Sequence, residues 1–304
     1  MNSNKNKVSA VVVTYNRLNL LKENLQSLEQ QTFNLDKIII INNNSTDETK
    51  NYIETKYSSN PLFEIVNLSE NIGGAGGFYQ GLKKAIELES EWIWLMDDDT
   101  IPNKDSLEKL MDKTNLVKDI GFLGSRVLFT DGTPHIMNNV IPSNNNFRDY
   151  QWNTFMDQGV LTLKYNSFVS CLISAEAIKK VGLPYKEFFI WGDDQEYTER
   201  IVKANFFGGL VLDSIVYHKT KNNYGVILST ADDSLAWKYY YGERNKIFLE
   251  RRDRSKLKFF LWYLFYKYKI NKILQKISGN KKLKHSIKKA HRDGLFFNPR
   301  IDFI

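Results

Sequence analysis

Along the first hundred residues, short apolar runs stop abruptly at polar clusters. "VSAVVVTY" (8–15) is apolar and β-branched and ends at Asn16. The next stretch places Leu18, Leu21, Leu25 and Leu28 at helical spacing. "KIIII" has the pattern of a buried strand and ends in "NNNSTDET", where Ser45 or Thr46 can cap a helix. "LFEIVNL" reads as a third strand, "GGFYQGLKKAIELE" as a helix and "EWIWLM" as a fourth strand. Strand alternating with helix predicts an α/β fold, a mainly parallel sheet with helices on both faces. Ligands of such sheets gather at the carboxyl ends of the strands. The clusters "TYNR", "NNNSTD" and "MDDDT" each follow a strand and are expected to meet along one edge.

The second half is less regular. Residues 128–159 are rich in Asn and poor in pattern, which predicts a long functional loop. "SFVSCLIS" predicts another strand, "AEAIKKVG" a helix, and "FFIWGDDQEYTERIVKANF" a strand-like entry into an acidic helix start. From "WKYYYGERNKIFLERR" onward the pattern turns helical, aromatic and basic. These shifts divide the chain into a body, 1–236, and a helical appendage, 237–304.

Composition adds an asymmetry to this outline. The 304 residues carry a net charge of +7, yet residues 237–304 hold 19 basic against 5 acidic side chains. The body is therefore acidic and the appendage strongly basic, so each needs its own explanation. The single cysteine, Cys171, rules out an internal disulfide, and its apolar neighbours predict a buried, inert thiol. The beginning, "MNSNKNKVSAVVV", lacks the features of a signal peptide. The longest apolar run, "FFLWYLFY" (259–266), is too short to cross a bilayer. The expectation is a soluble or membrane-associated protein that does not span the membrane.

Four stretches carry candidate chemistry. In "WLMDDDT", Asp97 and Asp99 can converge on one hard cation while Asp98 points elsewhere; a helix start is the plainer alternative. "NIGGAGGF" lets the backbone approach a ligand at a helix start, or lets a helix pack closely, and matches neither the dinucleotide fingerprint nor the P-loop. "WGDDQEY" clusters Asp193, Asp194 and Glu196, where one carboxylate can act as a general base or simply cap a helix. His218 follows an apolar strand and gains interest only as a further ligand to the same metal. No convincing Ser-His or Cys-His arrangement accompanies them.

In order and in register, "AVVVTYNR", "NNNSTDET", "NIGGAGGFYQG", "WIWLMDDDT", "FFIWGDDQEY" and a later "YH" resemble the family 2 glycosyltransferases of the GT-A fold. The glycine motif with its later paired acids is most similar to the galactofuranosyltransferase branch. The resemblance implies a nucleotide-sugar site lined by Thr14, Tyr15, Asn16, Arg17, Asn43, Asp47, Asn71, Asp98 and Trp191, with Gly73, Gly74, Gly76 and Gly77 at the glycine loop. It implies Mn²⁺ or Mg²⁺ on Asp97, Asp99 and His218. It makes Asp194 the general base, with Asp193 as fallback, and has Asp193 and Glu196 orient sugar hydroxyls.

The activity it implies is inverting transfer of galactofuranose from UDP-galactofuranose to a glycan or polyprenyl-linked glycan of a bacterial surface polysaccharide. A rhamnosyltransferase using dTDP-rhamnose is the near rival. A non-catalytic peripheral membrane or nucleic-acid-binding protein is the rival of another class, favoured only by Asn43 where relatives carry Asp. Residues 251–292 are basic and aromatic, which suits an anionic membrane surface at the cytoplasmic face of the cell membrane. A homo-oligomer contact is the alternative, and no nucleic-acid motif accompanies the stretch.

Overall fold

The apolar runs of the first hundred residues form the centre of one sheet. In the computed structural model, which describes residues 7–144, 150–225, 227–277 and 279–304, they become β1 (Val8–Thr14), β2 (Lys37–Asn42), β3 (Phe63–Asn67) and β4 (Trp92–Asp97). Residues 1–6 and the 145–149 part of the Asn-rich stretch lie outside the described residues. The chain divides into two compact units: Met1–Lys186, Asp194–Tyr224 and Ile301–Ile304 form unit 1, and Glu187–Asp193 with Gly225–Arg300 form unit 2.

Unit 1 is built on the sheet, whose order is β3-β2-β1-β4-β8-β6-β9-β5, with β7 also paired to β9. The first four strands are parallel. β8 (Cys171–Ser174) runs antiparallel to β4 and β6 (Ile120–Leu128), and β6 is parallel to β9 (Phe207–His218). Two short strands, β5 (Thr100–Pro102) and β7 (Val160–Thr162), pair antiparallel with β9.

Side chains alternate across this sheet with the period of two that strands impose. Val11, Val13, Ile39, Ile41 and Leu95 pack with α3 (Gly73–Glu87), α5 (Ala175–Val181) and α6 (Asp193–Lys203). Val12, Ile38, Ile40, Trp94 and Met96 pack with α1 (Leu18–Glu29), α2 (Thr49–Tyr57) and α4 (Ser106–Met111). Leu21, Leu25 and Leu28 of α1 are buried as their spacing predicts.

Three local expectations differ from what is found. α2 begins at Thr49, whose N–H is held by Asp47 at 3.0 Å, while Ser45 and Thr46 bond to Asn16 instead. The segment before α6 is a short 3-10 turn, Lys186–Phe188, followed by left-handed residues Phe189, Trp191 and Gly192; it is no strand. Residues 100–102 extend the sheet as β5 before α4 begins.

Unit 2 consists mainly of α7 (Ala236–Asp253), α8 (Lys256–Lys276) and α9 (Lys281–Gly294). Its core joins Tyr239, Ile270, Leu274, Ile277, Leu283 and Ile287. Asn245 of α7 donates to the carbonyls of Phe188, Ile190 and Trp191, fixing the 187–193 segment within the unit. Among the described residues, no helix is long and apolar enough to cross a membrane.

Candidate active site

Strand register brings the acidic triplet to the carboxyl edge of unit 1. Val13 lies beside Asp97 and Thr14 beside Asn42, so the ends of β1, β2 and β4 are level. Asp98 and Asp99 form the turn between β4 and β5. The turn is tied down on both sides. Buried Asn24 of α1 donates to the Thr100 carbonyl at 2.6 Å, and Thr100 stands opposite His218 in the β5–β9 pairing. The Lys219 N–H reaches the Asp99 carbonyl at 2.8 Å.

Within this frame Asp98 accepts the Thr14 hydroxyl at 2.7 Å. Arg17 Nη1 lies 2.5 Å from Asp99 Oδ2 and 3.5 Å from Asp98 Oδ1. One guanidinium faces three carboxylates, so the cluster is short of positive charge. Burial, then the charge of Asp99, raises Asp97 to about 6 and Asp98 to about 7. Burial pushes Asp99 up as well, but His218 and Arg17 outweigh it and hold this carboxyl at about 2. Asp99 is therefore the most readily ionised of the three.

His218 is oriented by a residue that sequence reasoning missed. Its Nδ1 lies 2.8 Å from Asn138 Oδ1, which can only accept, so the Nδ1 proton is fixed there. Nε2 is left 3.2 Å from Asp99 Oδ1. The distance is short, yet Asp99 Oδ1 is buried with no donor aligned on it. His135 lies tilted beside His218 with ring centroids 4.4 Å apart, and burial with the His218 charge lowers it to about 4, so it stays neutral.

Oxygen donors from Asp97 and Asp99 with the His218 imidazole suit Mg²⁺ or Mn²⁺ chemically, and the orphaned Asp99 oxygen is where such an ion would bind. Among the described residues, no three His, Cys, Asp or Glu side chains are already drawn together as a complete metal site. The half-exposed Arg17 supplies the partial neutralisation instead.

The remaining candidates on this edge do structural work in part. The Asn16 side-chain oxygen accepts the Thr46 N–H at 2.7 Å and the Asp47 N–H at 3.3 Å, tying the loop after β2 to the end of β1. Asn43 is buried; it accepts the Ile72 N–H and donates to the Gly73 carbonyl, clamping the glycine loop to β2. Asn71 accepts the Gly73 N–H at 2.9 Å. Tyr15 and Asp47 are exposed.

The glycines divide by role. A Cβ on Gly77 would lie 2.5 Å from Val13, and one on Gly76 would lie 2.6 Å from Ile72. Gly73 takes a φ of 75°, and Gly74 faces open space. Gly77 therefore serves close packing of α3 on the sheet, and Gly76 the packing of the helix start on Ile72.

Asp194 lies in the first turn of α6 and is raised to about 6, chiefly by burial; its charge is felt at Asp97. Glu196 is taken up by Arg200 at 3.0 Å, and Arg200 also bonds the carbonyls of Val181 and Leu183. Arg200, held by Glu196, thus anchors α6 to the end of α5 and the residues after it. Asp193 is buried and belongs with Trp191 to the segment of unit 2. There Trp191 packs edge-on against Tyr239, with ring centroids 5.3 Å apart.

Known proteins share this arrangement of sequence and fold. Galactofuranosyltransferase GlfT1 of Mycolicibacterium smegmatis is 26% identical over 233 residues, covering 69% of this chain and 70% of that protein. The mannosyltransferase PcManGT from Pyrobaculum calidifontis, solved with GDP-Man and Mn²⁺, superposes with a TM-score of 0.56 at 15% identity, over 96% of this chain and 74% of that one. S. aureus TarS 1-349 in complex with UDP-GlcNAc gives a TM-score of 0.56 at 20% identity, over 83% and 69% respectively. A longer TarS chain is covered only to 41%. These structural likenesses establish the GT-A fold. The family model described as "Glycosyl transferase family 2" matches residues 9–181, more than half of the sequence. The chain belongs to glycosyl transferase family 2.

Proposed function

We propose that this glycosyltransferase moves galactofuranose from UDP-galactofuranose to a hydroxyl of a glycan acceptor, with inversion at the anomeric carbon. The observation that carries the reading is the under-neutralised cluster of Asp97, Asp98 and Asp99 at the sheet edge, with the raised Asp194 within electrostatic reach. The donor is inferred from the galactofuranosyltransferase relative, and the use of a divalent cation also agrees with the Mn²⁺ bound by the mannosyltransferase.

Asp194 is ionised at neutral pH yet more basic than an ordinary carboxylate, which suits a general base. It takes the acceptor hydroxyl proton as that oxygen bonds to the anomeric carbon. The bond from that carbon to the diphosphate breaks, and its electron pair leaves with UDP. One displacement inverts the centre and needs no enzyme nucleophile. Arg17 and the α3 amides that follow Gly73, beside the open face of Gly74, offer positive charge and N–H donors to the diphosphate. A divalent cation held by Asp97, Asp99 and His218 would neutralise the leaving group.

Titration calorimetry with UDP, UDP-galactofuranose and UDP-galactopyranose, with Mn²⁺ and with chelator, tests this. Metal-dependent binding preferring the furanose is expected, and Asp99→Ala should abolish the metal dependence. Equal binding with and without metal would remove the ligand assignment, and preference for another sugar would remove the donor.

A further inference from the structure

α8 is apolar on two faces, and unit 2 covers only one. Ile270 and Leu274 are buried in the core, and Tyr266 stacks parallel on His291 and donates to Glu243 of α7. Phe259, Trp262 and Tyr263 on the same side are partly covered. The opposite side carries Leu257, Phe260, Leu261, Leu264, Phe265 and Tyr268, spaced by three and four residues as one helical face requires. Each is between 49% and 69% exposed. The fold of unit 2 does not account for them, since a helix packed by one stripe needs a polar outer side.

The charges along this face identify its partner. By helical period Lys256 and Lys267 flank one edge and Lys258 and Lys269 the other, all of them exposed. Alongside, a groove of about 760 Å³ between α8 and α9 is lined by Lys267, Lys284, Lys288 and Arg292 over an apolar floor. A second copy would set this strongly basic region against itself. An anionic bilayer satisfies both features: acyl chains meet the aromatic and leucine side chains, and lipid phosphates meet the lysine edges.

We infer that the outer face of α8, over residues 257–268, docks on an anionic lipid bilayer, lying in its plane. The face is about 17 Å long. This narrows the basic stretch 251–292 to one apolar stripe, to which α9 adds cations only. The inference is independent of donor and metal, so it stands or falls apart from the proposed chemistry.

The test is sedimentation of the full chain with phosphatidylcholine vesicles, with and without about one third phosphatidylglycerol. Partition onto the anionic vesicles should be about tenfold stronger or more. Leu261→Ser with Phe265→Ser should lose at least about tenfold of it. Lys267→Gln with Lys269→Gln should lose roughly fivefold per lysine at low ionic strength and little at high. All four side chains are exposed, so thermal midpoints should match wild type, and the lysine pair tests the face even if the serine pair misfolds. Wild-type binding by either pair at low ionic strength, or equal binding to both vesicles, overturns the assignment. A dimer in light scattering that the serine pair dissociates would give the face to a second copy and overturn it as well.

Discussion

Asp194 shows at the scale of one residue what burying a carboxyl does to stability. Its carboxyl is raised to about 6 in the fold against an ordinary value near 4, chiefly by burial. Between those values the folded chain binds more protons than the unfolded one, so stability falls as pH rises through this window. Above it the ionised group costs the native state up to about 3 kcal/mol, less where water screens it. Asp194→Asn should therefore raise the thermal midpoint at neutral pH and leave it nearly unchanged below pH about 4. If Asp194 is the base, the same variant should retain UDP affinity and lose turnover by about a hundredfold or more. Wild-type turnover should fall as pH drops through about 6. A variant of normal activity would move the base elsewhere. The acid triplet was legible from its place after an apolar run, and Asp194 from its paired acids. Asn138 was not, because it stands 80 residues before the histidine it orients, inside a stretch without pattern.

The helix that starts at the glycine motif was visible in the sequence, but its glycines serve two purposes that spacing cannot separate. Gly77 sits over Val13 of β1 with no room for a Cβ, whereas Gly74 faces open space. Gly77→Ala must push α3 from the sheet and should cost about 1–3 kcal/mol, read in urea denaturation. Gly74→Ala should change stability by less than about 1 kcal/mol but weaken UDP binding, if its open side receives the diphosphate. Equal stability effects at the two positions would refute the division. β5 and β7 went unread for a related reason. A three-residue strand such as "TIP" is too short to show alternation, and it exists because β9 pairs with it. The segment 189–192 carries strand-like residues but is bent by left-handed backbone at Phe189, Trp191 and Gly192, which Asn245 holds through three carbonyls. Tertiary partners set both outcomes, and no local pattern encodes them.

At the scale of the molecule, composition exposed the basic appendage but not the path of the chain. The polypeptide gives Glu187–Asp193 to unit 2, leaves unit 1 again after Tyr224 to build the rest of unit 2, and returns to unit 1 at Ile301–Ile304. There the Asp302 carbonyl accepts the Leu183 N–H at 2.8 Å, and Ile301 covers Gly182, where a φ of 75° and the lack of space both exclude a side chain. The Asp302 carboxylate receives the Tyr79 hydroxyl and the Lys186 ammonium, each at 2.8 Å. These last contacts are partly exposed and so weak, while the backbone bond and the packing over Gly182 are not. Removing residues 301–304 should accordingly destabilise unit 1 by about 1–3 kcal/mol, and Asp302→Ala alone by less than about 1 kcal/mol. Thermal denaturation of the two variants separates the contributions. A deletion no worse than the alanine would assign the whole effect to the exposed pair, and a deletion without effect would show that unit 1 closes without its last residues.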